Sequence, residues 1–250
     1  AVFDALKKYA YRPFSNDSNT NIIDPRTYFY MRPFLDKAKS EGGDLALVTT
    51  WVSSTYRTKS VGSDLALVTT WVIDVTVTAN TIYGMTSAVL SGLVDPQVLN
   101  DQIIAQIYVN ATSLIAFEIK TNFSDRCDLA LAYYTSQMEF YWFVARTVAI
   151  LETARRKGTF PVPVMETVHY LLKDVAENEM TRFILSKAKH EGTDRVYFDD
   201  FLGDDDVTDE NKPLVRSEDR IFTTAMAANA LIYTWTVYDE DTKTTLWNDG

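Results

Sequence analysis

Apolar side chains recur along this chain at three- and four-residue intervals, the spacing that lines one face of an α-helix. Tyr28, Met31, Leu35 and Ala38 form a first stripe, which Gly42 and Gly43 stop, and Ile82, Met85, Val89 and Leu93 form a second. Asp95-Pro96 then breaks the chain and starts a helix through Ile103, Ile107, Leu114 and Phe117. Tyr141, Val144, Val148 and Leu151 make another stripe, opened by a capping box at Ser136 and Glu139. After the rigid PVP at 161–163, a long helix carries Val168, Leu171, Leu172 and Val175 toward Leu185. The last stripe holds Ile221, Ala225, Ala228, Ile232 and Trp235. About seven helices joined by short connections are therefore expected.

One segment departs from this period. Residues 44–52 read DLALVTTWV, and residues 64–72 read DLALVTTWV again, with a shorter echo, DLAL, at 128–131. Its β-branched and aromatic content suits a short strand, and two such runs could pair as a β-hairpin near 44–72, while a helix stays open as the alternative. A more diverged repeat spans the whole chain. Residues 32–44 (RPFLDKAKSEGGD) and 182–194 (RFILSKAKHEGTD) share eight of thirteen positions at an offset of 150. The pairs Ala79-Asn80 and Ala228-Asn229 come after Thr-rich segments in the same order. Self-similarity at a fixed offset constrains the whole fold, and it predicts one domain over 1–250 built from two related halves, about 1–125 and 126–250.

With 250 residues, 46% of them hydrophobic, the chain can bury a large core. A formal charge of −10, with scattered Lys and Arg, excludes a nucleic-acid surface. No uninterrupted apolar run reaches membrane-span length, so no membrane span is expected. The chain opens at Ala1 without Met or a signal peptide, as a mature or clipped form would. Cys127 is the single cysteine, so no internal disulfide can form. N-x-S/T triplets at Asn16, Asn110 and Asn122 suit a secreted glycoprotein; Asn110 falls on an apolar stripe, leaving Asn16 and Asn122 as glycosylation candidates. The expected location is extracellular.

Paired helices in two halves, without a phosphate-binding glycine motif, point to a closed ring of antiparallel helices. Residues 74–83 (DVTVTANTIY) and 218–232 (EDRIFTTAMAANALI) resemble the starts of inner helices in the α/α toroids of the terpenoid-cyclase and protein-prenyltransferase superfamily. The resemblance is at the level of fold and implies a mainly α toroid. The Gln-Trp repeats and the zinc ligands of that superfamily are absent, so no catalytic residue carries over.

Candidate chemistry is sparse. Asp199, Asp200, Asp204 and Asp206 belong to an oxygen-rich run that reads first as a solvated acidic loop, and then as a site for Ca²⁺ or, less readily, Mg²⁺. The aromatics Tyr133, Tyr134, Phe140, Tyr141, Trp142 and Phe143 make one helix apolar on every side, which predicts a path through the interior. In a ring, Tyr134, Tyr141, Trp142 and Trp235 would line a cavity for an apolar or carbohydrate-like small molecule. His169 reads as a packing residue, His190 as a cation at a helix C-terminus, and Cys127 as a buried thiol. Three functional classes remain. The leading one is a soluble, secreted helical binding or interaction protein with an aromatic-lined cavity. The others are a glycan-processing hydrolase or lyase with two facing carboxylates, and a Mg²⁺-dependent isoprenoid enzyme using Asp199, Asp200 and Asp204. Oligomeric state is left open by the sequence.

Overall fold

The computed structural model describes residues 2–16, 22–51, 71–131, 134, 136–200, 217–239 and 241–247. These form a mainly helical chain, and its order is set by side chains that close helix starts. After α1 (Val2–Tyr9), Asp24 begins α2 (Pro25–Ser40) by accepting from the Arg26 N–H, and Gly42, at φ +70°, lets the chain turn out of it. Next comes a short antiparallel pair, β1 (Thr50–Trp51) with β2 (Trp71–Val72). The first DLALVTTWV copy is thus extended, with Leu45, Ala46, Leu47 and Val48 buried and Leu47 bridged to Tyr11. The expected hairpin is present at its base, and 52–70, which holds most of the second copy, lies outside the described residues.

Asp74 caps α3 (Val75–Leu90) by accepting from Thr76 and Val77, and Asp101 does the same for α4 (Gln102–Lys120) through Ile103 and Ile104. Beyond the short α5 (Cys127–Ala130), the long α6 (Gln137–Arg156) leads through the proline segment to α7 (Val164–Val175). A π-turn at Ala176–Met180 joins α7 to α8 (Thr181–Ser186), so the long helix expected toward Leu185 is present with a bulge inside it. Strands β3 (Lys189–Glu191) and β4 (Arg195–Tyr197) form a hairpin; α9 (Ser217–Trp235) leads into a second, β5 (Thr236–Asp239) with β6 (Thr244–Trp247).

Helices from successive parts of the chain fall into two layers. In one, α3 packs on α6 and α6 on α9; in the other, α4 packs on α7; α3–α4 and α6–α7 contacts join the layers. The first layer is parallel. Asp74, which starts α3, acts electrostatically on Glu139 in the first turn of α6. The Phe198 backbone, two residues before the Asp200 that caps α6, bonds Thr223 and Thr224 near the start of α9. In the second layer an ion pair of 2.8 Å between Lys120 and Asp174 joins the C-terminal ends of α4 and α7.

The expectation that the aromatic-rich helix runs through the interior is met for residues 140–143 by α6, whose buried residues face α3, α7 and α9 from Met138 to Ala154, whereas Tyr134 lies before the helix and Tyr133 lies outside the described residues. By length and composition α4 is apolar enough to cross a membrane, but its apolar stretch is 56% buried, and packing between α3 and α7 accounts for it.

Two expectations need correction. On α9 the predicted stripe faces outward: Ile221 is 75% and Ile232 48% exposed. The buried seam is instead Thr223, Ala227, Ala230 and Thr234, because small side chains let α9 approach α6 closely. The two copies of the KAK-x-EG-x-D motif also diverge. The first ends α2, whereas the second leaves α8 at Lys187 and enters β3, so His190 is strand-borne, paired with Val196, and not a helix-terminal cation.

Candidate functional site

The α3–α6–α9 layer carries one face on which polar and aromatic side chains converge. Asn80 lies one turn before Tyr83 and Gly84 on α3, and Glu139, Trp142 and Arg146 occupy the three- and four-residue spacing on α6 that puts them on one side. Tyr233 supplies the α9 edge and Tyr134 the approach to α6. All are half-buried or exposed, in contrast to the core around them.

Arg146 is at the centre. Its guanidinium carbon is 4.0 Å from the Tyr83 ring centroid, 4.3 Å from Phe143 and 4.8 Å from Trp142. These distances are those of cation–π contact, each contributing about 0.5–2 kcal/mol depending on desolvation. Trp142 stands 5.0 Å from Phe143, and Tyr134 meets Phe143 edge-on at 5.7 Å. Nη2 of Arg146 donates to Oδ1 of Asn80, while its buried Nε–H has no acceptor among the described residues. Burial moves the Arg146 pKa downward, opposed by Tyr83, Tyr233 and Tyr134, and among the described residues no carboxylate acts on it. Gly84 leaves the face open beside these groups, since a Cβ built there meets nothing within 4 Å.

A second cluster sits at the rim, where α3 and α6 begin. Ser136 accepts from the Glu139 N–H as a capping box requires, but the anion over the helix start is Asp200, which accepts from Ser136 Oγ at 3.0 Å and Met138 N–H at 3.0 Å. Burial raises the Glu139 pKa, and Asp200 and Asp74 raise it further; burial raises Asp200 as well, against the hydrogen bonds it accepts.

The residues singled out from sequence distribute unevenly. Tyr134 and Trp142 come together through Phe143. Tyr141 is 1% exposed within the core, and its hydroxyl has no partner among the described residues. Trp235 is tied elsewhere, donating from Nε1 to Thr181 Oγ1 across the π-turn. Asp199 pairs with Lys189 and Arg220 while Asp200 caps α6, so these neighbours serve different bonds. Asp204 and Asp206 lie outside the described residues, and among the described residues no group of three or more His, Cys, Asp or Glu could hold a metal ion. Asn16 is exposed; Asn122 is in the left-handed region at φ 49°, with Oδ1 accepting from Gln137. His169 is buried, as its packing role required, and its Nε2 lies 2.7 Å from Glu152.

Sequence reading missed Arg146, Asn80 and Tyr83. The available signal was an arginine one turn beyond Trp142 on the aromatic-rich helix, and its Asn80 partner on α3 is 66 residues away in the chain. No protein-family model, no curated protein and no solved structure matches this chain.

Proposed function

We propose that the chain is a ligand-binding protein of α/α-toroid type, soluble and extracellular, whose ligand is a glycan seated on the face formed by α3, α6 and α9. The toroid reading is supported by the alternation of the two layers in chain order, α3 and α6 and α9 in one, α4 and α7 in the other. The observation that carries the ligand reading is the set of rings around a guanidinium, the partly exposed Tyr83 and Trp142 over the buried Phe143. Flat rings give a sugar an apolar surface, and Asn80 with Arg146 supply hydrogen bonds in the same plane of approach. A wholly apolar ligand would cover that guanidinium without a partner, which is unfavourable. A carbocation mechanism fits worse, since a cation already rests on these rings. Exposure of Asn16 agrees with a secreted glycoprotein, and a Ca²⁺-binding acidic loop stays a proposal resting on the charge run from Asp199 onward.

The test is isothermal titration of the full chain against neutral and acidic oligosaccharides. Binding is expected to saturate and to quench tryptophan fluorescence. Trp142→Ala should abolish it, and Trp235→Phe should leave it within about twofold. Absence of glycan binding, or equal loss in both variants, removes the reading.

One observation favours a second reading, a glycan-processing enzyme. Glu139, with its pKa raised, shares the binding face with Trp142 and lies within electrostatic reach of Asp200, an arrangement that could provide an acid and a base. Product release from a bound oligosaccharide that disappears in Glu139→Gln, with binding intact, would establish it.

A further inference from the structure

We propose that the ligand carries a carboxylate, as a uronate-containing glycan does, and that Arg146 is the residue that selects it; this rests on the glycan reading of the face. Four other arginines have a carboxylate partner within the fold. Arg26 meets Asp24, Arg32 meets Asp36, Arg156 meets Glu152 and Arg220 meets Asp199. Arg146 alone among these five has rings and one amide for neighbours, in a chain whose formal charge is −10.

The chemistry of guanidinium makes this arrangement informative. Five N–H donors radiate in one plane, and Asn80 takes one of them. A cation withdrawn from water without a counter-anion is unfavourable until an anion arrives, so the site gains most from a ligand that supplies one. Contact with the Tyr83 and Trp142 rings restrains the guanidinium, and its planar fork suits two parallel hydrogen bonds to one carboxylate. A phosphate dianion is a poorer match. No second cation acts on Arg146 among the described residues, and Glu139, two turns earlier on the same side of α6, disfavours additional negative charge toward the rim.

Three probes test the assignment on the 250-residue chain: a tetrasaccharide of alternating glucuronate and N-acetylhexosamine, the same tetrasaccharide with its carboxylates reduced to alcohols, and inorganic phosphate. Wild-type protein should bind the acidic sugar at least about tenfold more tightly than the reduced one, the size of effect expected of a charged hydrogen-bonded pair. Arg146→Gln should remove the preference by weakening the acidic sugar at least about tenfold more than the reduced one, and Arg146→Lys should retain only part of the preference. Equal wild-type affinities overturn the carboxylate assignment and leave the glycan reading standing, as does displacement of the acidic sugar by phosphate at similar concentration. Failure of both sugars to bind overturns both. Should Arg146→Gln fail to fold, the wild-type preference and the Arg146→Lys variant still separate these outcomes.

Discussion

Two buried glutamates show how neighbours alone set the behaviour of one residue type. Glu118 on α4 is fully buried, and neither carboxylate oxygen has a partner among the described residues; burial pushes its pKa up to about 8. Unfolding returns it to the ordinary value of 4.5, so between that pH and about 8 the unfolded chain releases a proton that the folded one keeps. Folding stability therefore falls as pH rises through that window, by on the order of 3–5 kcal/mol in full. Glu118→Gln should flatten this slope and be the more stable protein at pH 9, as read by denaturant titration at pH 5 and pH 9. Glu152 is the opposite case. Burial acts to raise its pKa, but Arg156, His169 and Lys173 all bond it and bring the value to about 2. Its contribution is present above the ordinary carboxylate range and is lost as pH falls toward about 2. His169 is held below its ordinary value by burial, against the pull of Glu152, so its ring is neutral at pH 7 and packs on Phe160. Replacing Glu152 by Gln should lower stability by about 3 kcal/mol at pH 7 and by much less at pH 3, measured by the same titration.

At the scale of the element, periodicity is a good guide where large side chains meet a core, and a poor one where small side chains do. The stripe of Tyr141, Val144, Val148 and Leu151 is buried as read, because α6 is enclosed by neighbours that require bulk. On α9 the large residues Ile221 and Ile232 define an equally regular stripe, yet Thr223, Ala227, Ala230 and Thr234 make the contact with α6. Hydrophobicity identifies an apolar face, whereas closeness of approach selects the small one, and only the partner helix reveals which governs. Ala230→Leu should therefore destabilise by about 1–3 kcal/mol through overpacking, while Ala228→Leu on the exposed side should change little; thermal unfolding of the two variants separates them. The candidate site divides along the same line. Trp142 and Tyr134 stand out as aromatics in the sequence, but the partnership of Arg146 with Asn80 and Tyr83 depends on how α3 lies against α6, which local spacing does not encode. Gly84 gives a further test of that face. Its helical backbone disfavours glycine by about 0.5–1 kcal/mol relative to alanine, and a Cβ there meets nothing. Gly84→Ala should raise the melting temperature, whereas Gly84→Trp should weaken glycan binding more than tenfold without unfolding the protein.

Across the whole molecule, the long-range repeat at an offset of 150 residues and the observed layering constrain one another. Identical motif letters end a helix in one copy and begin a β-hairpin in the other, so local sequence does not impose the structure of that segment; the packing open to the chain just beyond each copy does. After α2 the chain turns at Gly42 into the buried extended run of Leu45 to Val48, while after α8 it crosses from β3 to β4 on the surface before Phe198 anchors it to α9. The Thr-rich segments do not precede helices as expected but lie within them, 75–80 opening α3 and 222–229 in the middle of α9, and they still mark helices of the same layer on either side of α6. That placement makes α6 the element through which the fold's cooperativity runs. It contacts α3, α7 and α9 together, and its amides can open only when three interfaces are lost. Amide exchange should then be slowest in residues 138–154, matching the global unfolding free energy, and fast in the exposed β3–β4 hairpin, which opens without disturbing the layers. If the β3–β4 amides were instead protected to the same degree as α6, the two hairpin strands would belong to the cooperative unit, and the layered helices would not be its organising feature.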